Sequence, residues 1–179
     1  EISLPYSSLI MEKGMSIRDI TEACAGTRPV PADREGYFVI KPHKKHSEFE
    51  KYYAKIDSEL GLNYISAVGK SIECDTCGTE IRGKFEEMSG RLSAKYGKPV
   101  IIDTLKESVI DPVDDEYWMY TLRMKDRVLV AAWVENLPDE LTAVYLSALA
   151  EKSGNRAHLV LEYEFSNNET VVKSEDDVL

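Results

Sequence analysis

The clearest hydrophobic pattern in the chain lies between Thr79 and Tyr96. Apolar residues recur there at steps of three and four, and they are Ile81, Phe85, Met88, Leu92 and Tyr96. This spacing predicts an amphipathic α-helix with a narrow apolar stripe. Gly97 and Pro99 predict the end of this helix, because glycine favours the left-handed conformation after a helix and proline cannot continue one.

A second helix is predicted near the start of the chain. Ser16 is followed three residues later by Asp19, which is the pattern of a capping box. Ile20 and Cys24 lie on the apolar side of this helix, and Gly26 marks its end. We therefore expect Cys24 to be a buried core thiol rather than a reactive one.

Strands are predicted in the segments where apolar residues alternate with polar ones or form short runs. These segments are Tyr37–Ile40, Phe49–Ile56, Leu62–Val68, Pro99–Ile102, Tyr117–Met124, Arg127–Val134, Leu141–Ala150 and Ala157–Phe165. Lys125 and Asp126 form a polar pair that suits a two-residue hairpin turn. Phe49–Ile56 and Leu141–Ala150 also fit a helix, and we favour a strand for both.

Each half of the chain thus consists of a helix, a glycine, a proline and then antiparallel strands. An amphipathic helix and a β-meander can bury each other's apolar faces. The predicted fold class is α+β, with an antiparallel meander packed by amphipathic helices. We expect two such units, residues 1–72 and 73–166, with a polar acidic tail at 167–179; one continuous domain is the alternative.

Composition and charge restrict the function classes. The 179 residues carry a formal net charge of −10, which argues against nucleic acid and favours a basic protein partner. No apolar run reaches the length of a membrane span, so we do not expect a transmembrane protein. The chain begins at Glu1 rather than Met, and we expect a mature exported protein that is periplasmic or secreted.

Cys74 and Cys77 form a Cys-x-x-Cys directly before the predicted helix at Thr79–Tyr96. A helix N-terminus favours thiolate, and the placement resembles that of the thioredoxin redox pair. Asp75 in the spacer opposes thiolate formation. We therefore favour a local Cys74–Cys77 disulfide or two structural cysteines over a thiol-disulfide oxidoreductase.

Two other clusters could bind metal, although we predict no metal site and no cofactor. His43 and His46 could complete a zinc site with the cysteine pair, but two exposed histidines are the favoured interpretation. Acidic side chains follow the predicted strand at Pro99–Ile102, and they are Asp111, Asp114, Asp115 and Glu116. Their spacing fits no EF-hand, so a solvated loop is favoured over a calcium site.

Aromatic residues are concentrated in the predicted hairpin. Trp118, Tyr120 and Trp133 would occupy both of its faces, so one set is expected to be exposed. Exposed aromatics are typical of protein-binding surfaces. We predict a binding surface formed by these three residues with Asp111, Asp114, Asp115 and Glu116; packing of the aromatics in the core is the alternative.

The segment Gly14-Met-Ser, followed by Gly26-x-x-Pro29, resembles the opening of the small lipoproteins of outer-membrane β-barrel assembly. In those proteins the helix start leads into a β-meander. The doubled helix-plus-meander plan is also similar to that of the β-lactamase-inhibitory proteins. These resemblances imply an α+β fold and a non-enzymatic role, and they transfer no site residues.

The function expected from these patterns is an exported, non-enzymatic module that binds another protein. An inhibitor or immunity protein against a secreted toxin or hydrolase is its concrete form. A thiol-disulfide oxidoreductase using Cys74 and Cys77 is one alternative. A small-molecule or lipid-binding protein is the other, and it would require a pocket within the sheet.

Overall fold

The computed structural model describes residues 11–106 and 115–168. Its helices are α1 (Ile17–Ala23), α2 (Thr79–Tyr96) and α3 (Trp118–Arg123), with a 3₁₀ turn at Asp115–Tyr117. Its strands are β1 (Val30–Pro31), β2 (Tyr37–Ile40), β3 (Phe49–Asp57), β4 (Gly61–Gly69), β5 (Ile72–Glu73), β6 (Val100–Leu105), β7 (Arg127–Trp133), β8 (Leu141–Ala150) and β9 (Arg156–Phe165). The predicted α+β class is confirmed.

The nine strands of the described ranges form one sheet in the order β1-β2-β3-β4-β9-β8-β7-β6, with β5 paired to β9 beside this path. The pairs are antiparallel, as the sequence predicts for a meander. β1 and β6 occupy the two ends of this order. In the pair at the β6 end, Val100 lies opposite Ala132 and Leu105 lies opposite Arg127.

The chain divides into two compact units. The first comprises Val134–Val144 and the described parts of Glu1–Val68 and Glu162–Leu179; the second comprises the described part of Gly69–Trp133 and Tyr145–Leu161. The first division falls four residues before the boundary expected after residue 72. β8 and β9 each contribute residues to both units.

α1 begins at the predicted capping box. The backbone N–H of Ser16 donates to the Asp19 carboxylate at 2.8 Å, and the Ser16 hydroxyl oxygen accepts from the Asp19 N–H. Cys24 is buried at the end of this helix, and burial raises the pKa of its thiol. The prediction of a core thiol is confirmed.

α2 has the predicted bounds, and all five residues of the predicted stripe are buried. Gly97 follows it with φ of +83° and ψ of −159°, a positive-φ conformation that glycine adopts readily. The indole N–H of Trp133 donates to the Gly97 carbonyl at 2.9 Å, and this bond ties the end of the helix to β7.

The prediction of a strand at Tyr117–Met124 is wrong, because this segment forms the end of the 3₁₀ turn and then α3. Trp118 and Leu122, four residues apart, are both buried, which is the spacing of a helix face. Lys125 and Asp126 therefore join a helix to β7 and form no hairpin turn. The strands favoured at Phe49–Ile56 and Leu141–Ala150 are confirmed.

Candidate functional site

The most exposed apolar segment of the described chain lies on β6, at one end of the sheet. The exposed fractions are 59% for Val100, 58% for Ile101 and 41% for Ile102. β7 covers one side of the strand, and no described strand pairs with the other side. Large apolar side chains at adjacent positions of an unpaired edge are uncommon, because such an edge can pair with another chain. We call Val100–Leu105 the β6 edge.

The direction of each backbone amide on the β6 edge follows from its register with β7. The Lys106 N–H donates to the Asp126 carbonyl at 2.8 Å, so these opposed residues form a hydrogen-bonded pair. Hydrogen-bonded and non-hydrogen-bonded pairs alternate in an antiparallel ladder. Val100, Ile102 and Thr104 therefore bond to β7. The N–H and C=O groups of Ile101, Asp103 and Leu105 point away from the sheet.

The two faces of the β6–β7 pair differ in packing. On one face, Ala131 and Trp133 of β7 are buried. On the other, Val100 and Ile102 of β6 are exposed, and so is Val128 of β7. The apolar surface of the β6 edge thus continues from the edge strand onto its neighbour.

Asp103 on the β6 edge and Lys106 after it form ion pairs, whereas Lys98 before it forms none with the described residues. Arg127 donates to the Asp103 carboxylate at 2.8 Å, and Lys106 lies 3.4 Å from the Asp126 carboxylate. Lys98, two residues before the strand, is exposed and forms no ion pair with any residue in the described ranges. The strand is therefore preceded by one uncompensated positive charge.

The two tryptophans of the predicted binding surface are buried, with exposed fractions of 2% for Trp118 and 1% for Trp133. Two guanidinium groups lie near the Trp118 ring, whose centroid is 5.6 Å from Arg82 and 5.7 Å from Arg127. In this structure neither indole can present its face to a partner. Both tryptophans pack in the core, which was the alternative to a binding surface.

Tyr120 and Glu116 of the same predicted set are exposed. Tyr117 and Met124 are also exposed, and their spacing places them on the same helical side as Tyr120. Asp111 and Asp114 lie outside the described residues, and Asp115 is described only as the first residue of the 3₁₀ turn.

Cys74 and Cys77 are free thiols in the structure, so the predicted disulfide between them is not formed in it. Burial raises the pKa of the Cys74 thiol, and the carboxylates of Glu80 and Asp75 raise it further. Asp75 instead accepts hydrogen bonds from the backbone and side chain of Thr79, which hold its own pKa low. This environment opposes the thiolate that a redox nucleophile needs.

A cleft of about 450 Å³ lies beside Cys74. Its walls are formed by Glu73, Cys74, Glu151, Ser153, Gly154, Asn155 and Arg156. Its charged side chains already have partners: Arg156 donates to the Glu73 carboxylate at 2.8 Å, and the Glu151 carboxylate accepts from the Ser71 hydroxyl at 2.5 Å. The cleft is polar and open, and it lacks the apolar lining that is typical of lipid and drug-sized ligand sites.

The two candidate zinc histidines have different environments. His43 is exposed, whereas His46 is buried and packs edge-on against Phe49, so the expectation of two exposed histidines is wrong for His46. Its Nδ1 accepts a hydrogen bond from the Glu48 N–H at 3.2 Å. Within residues 11–106 and 115–168, no group of three or more His, Cys, Asp or Glu side chains could hold a metal ion.

Comparisons of the chain with models of protein families, with curated proteins and with solved structures found no match. The resemblances drawn from short sequence motifs therefore remain expectations. No helix in the described part of the chain is long and apolar enough to span a membrane.

The sequence patterns did not single out the β6 edge. Pro99–Ile102 was predicted as an apolar strand, and a short apolar run is equally typical of a buried central strand. The neighbouring charges were the only signal, since Lys98 and Lys106 flank the run and lysines commonly flank edge strands. Whether a strand is central or at the edge depends on pairing between distant segments.

Proposed function

We propose that this protein is a non-enzymatic module that binds another protein by accepting an extended segment of it at the β6 edge. The observation that carries the proposal is the exposure of Val100, Ile101 and Ile102 on a strand whose outer side has no partner among the described residues. Addition of a strand to an open sheet edge is a recurring mode of peptide recognition.

Backbone bonds and side-chain burial would both contribute to such binding. The outward amides of Ile101, Asp103 and Leu105 offer donors and acceptors at regular spacing. Each hydrogen bond contributes a net ~0.5–1.5 kcal/mol, and burial of apolar surface adds about 25 cal/mol per Å². Because ordering the bound segment has a cost, we expect affinities in the micromolar range for an isolated peptide.

The concrete role we propose is that of an exported inhibitor or immunity protein, located in the periplasm or secreted. The charge of −10 supports a basic target, because it would attract one at long range. Most of this charge lies in the first unit, since the second contains twelve Lys and Arg against thirteen Asp and Glu. The negative charge of the first unit would therefore attract the basic target, whereas the β6 edge would bind the extended segment of that target.

The thiol-disulfide oxidoreductase receives little support, because burial and two carboxylates raise the pKa of the Cys74 thiol. The small-molecule alternative has the cleft beside Cys74 in its favour, but the charges of that cleft are mostly satisfied internally. Neither alternative would use the exposed apolar strand.

The test is titration of the full chain into labelled ten-residue peptides that each contain three consecutive Val or Ile residues, followed by fluorescence anisotropy. The blocking variant is Ile101→Pro, which removes an outward N–H without removing a bond to β7. The matched control is Ile101→Val, which keeps the N–H and an apolar side chain.

We expect peptide binding that weakens at least tenfold in Ile101→Pro and less than about twofold in Ile101→Val. Circular dichroism of both variants must match that of the unmodified chain. Equal binding by Ile101→Pro, or no binding of any peptide at millimolar concentration, would overturn the proposal.

A further inference from the structure

Lys98 provides a clue to the kind of segment that the β6 edge accepts. Arg127 and Asp103 neutralise each other beside the strand, and so do Lys106 and Asp126 at its far end. Lys98 lacks such a partner among the described residues and is exposed. A bound segment would therefore pass the unpaired positive charge of Lys98 at a defined position along the strand.

The position of Lys98 relative to the apolar residues follows from local geometry. Because Pro99 comes next, Lys98 is restricted to extended backbone conformations. Extended residues two apart lie on the same face and about 7 Å apart along the chain. Lys98 therefore continues the row formed by Val100 and Ile102, on the exposed face of the β6–β7 pair.

The direction of the incoming segment fixes the order of its residues. The registered pairs of the sheet are antiparallel, and antiparallel pairing is slightly more stable per residue than parallel pairing. In an antiparallel segment, the residues opposite Ile102, Ile101 and Val100 come first in sequence. The residue opposite Lys98 comes two positions after the last of them.

We infer that the β6 edge selects an extended segment with three consecutive apolar residues followed, two positions later, by aspartate or glutamate. This inference rests on the proposed function and specifies its ligand. The apolar residues would cover Val100, Ile101 and Ile102, and the carboxylate would pair with Lys98. A protein can carry such a segment and still be basic as a whole, so the inference agrees with a basic target.

The expected effect is modest because the ion pair is exposed to solvent. Exposed pairs of this kind change an equilibrium by about two- to fivefold. Screening reduces the effect as ionic strength rises, with a Debye length of about 10 Å at 0.1 M salt. The measurement therefore belongs at low salt, with a repeat at about 0.5 M salt as an internal check.

The test uses labelled peptides that are identical except at the position opposite Lys98, where they carry Glu, Gln or Lys. A fourth peptide places the Glu two positions before the apolar residues, as a parallel segment would require. The peptides are titrated with the full chain and with Lys98→Glu. Lys152→Glu is the matched control, because it makes the same charge change at another exposed position of the second unit.

We expect the Glu peptide to bind about two- to fivefold more tightly than the Gln peptide, and the Lys peptide to bind most weakly. Lys98→Glu should reverse this order, and Lys152→Glu should preserve it. If all peptides bind equally well, or the fourth binds best, the inference fails while the proposed function stands. If no peptide binds, the proposed function fails as well.

Discussion

The two edge strands of the sheet, β1 and β6, differ in whether their outer backbone groups can pair with another strand. β1 has two residues, and the Ala32 N–H donates to the Tyr37 carbonyl directly after it. The alternation of the antiparallel ladder then turns the backbone N of Pro31 outward, and proline has no hydrogen to donate. β6 has six residues, and its outward positions include Ile101 and Asp103, which keep their donors.

An open edge is therefore not a general property of this sheet. Short length and an outward proline are two devices by which proteins prevent edge-to-edge association, and β1 has both. β6 has neither, and it adds three exposed apolar side chains. An unprotected edge strand promotes aggregation. Because β1, at the other end of the strand order, is protected, the unprotected β6 supports a binding role.

The largest effect is expected for Gly78→Ala, which should disturb the side chains that pack against β6 and β7. Gly78 has φ of +67°, and an added Cβ would lie 2.3 Å from the Trp118 ring. That ring packs against Arg127, which in turn pairs with Asp103 on β6. Strain and overpacking together should lower the free energy of unfolding by about 3 kcal/mol or more. Denaturant unfolding measures the loss.

The same variant tests whether packing around Trp118 stabilises the β6 end of the sheet more than the β1 end. Hydrogen exchange in Gly78→Ala should accelerate at the ladder amides of β6 more than at those of β2. Gly83→Ala, inside the helix that Gly78 caps, is the matched control, because its Cβ would meet no atom within 4 Å. That control should stabilise the protein by up to ~1 kcal/mol. If Gly78→Ala left the free energy of unfolding unchanged, packing of the Trp118 ring would not be needed to stabilise β6.

The next effect concerns a half-buried polar pair in the unit that carries β1. The Tyr64 hydroxyl donates to the Glu162 carboxylate, and both side chains are half-buried. Burial raises the pKa of Tyr64, and the hydrogen bond and the negative charge of Glu162 raise it further. The pair should therefore stabilise the fold fully below about pH 10, the usual pKa of tyrosine, and lose its contribution as the pH rises further.

Tyr64→Phe should lower the free energy of unfolding by about 1.5–3 kcal/mol at neutral pH, because the carboxylate loses its donor. It should also remove, from the tyrosinate absorbance titration, one step that lies above the usual pKa of tyrosine. Thermal unfolding and absorbance at 295 nm measure the two effects. If the titration of the variant keeps that step, the high pKa belongs to another tyrosine. Peptide binding at the β6 edge should be unaffected at neutral pH.

Local patterns in the sequence were sufficient to predict both major helices and most strands. The capping pair Ser16 and Asp19, and the stripe along α2, depend on residues a few positions apart, and such signals need no knowledge of the fold. Tyr117–Met124 was mispredicted because its alternating apolar residues fit a strand over a short stretch, whereas packing of Trp118 favours a helix. Tertiary contacts determined that this segment is helical.

The candidate site could not be predicted in the same way. The sequence shows an apolar run at Val100–Ile102, but only the pairing order of the sheet leaves this run at an end. Trp118 and Trp133 fit a binding surface at the level of the sequence, because large aromatics are common in interfaces. The same property makes them effective core residues, and local sequence does not separate the two uses.

A smaller effect should distinguish inward from outward amides on β6. Ile102→Pro removes a donor that bonds to Val130, and it should cost about 1–2 kcal/mol of unfolding free energy. Ile101→Pro removes an outward donor and should cost less than about 1 kcal/mol. Urea unfolding of the two variants provides the comparison. Equal costs would show that the assigned amide directions are wrong.

The smallest effect is expected for Pro31→Val, which gives β1 the outward N–H that it lacks. Because this N–H would face away from β2, the ladder is unchanged and stability should shift by less than ~0.5 kcal/mol. The peptides that bind β6 should gain no second site, since two residues offer too little backbone for a stable added strand. Peptide stoichiometry decides the matter: one site per chain means that length protects β1, whereas two sites would mean that the proline alone had kept that edge closed.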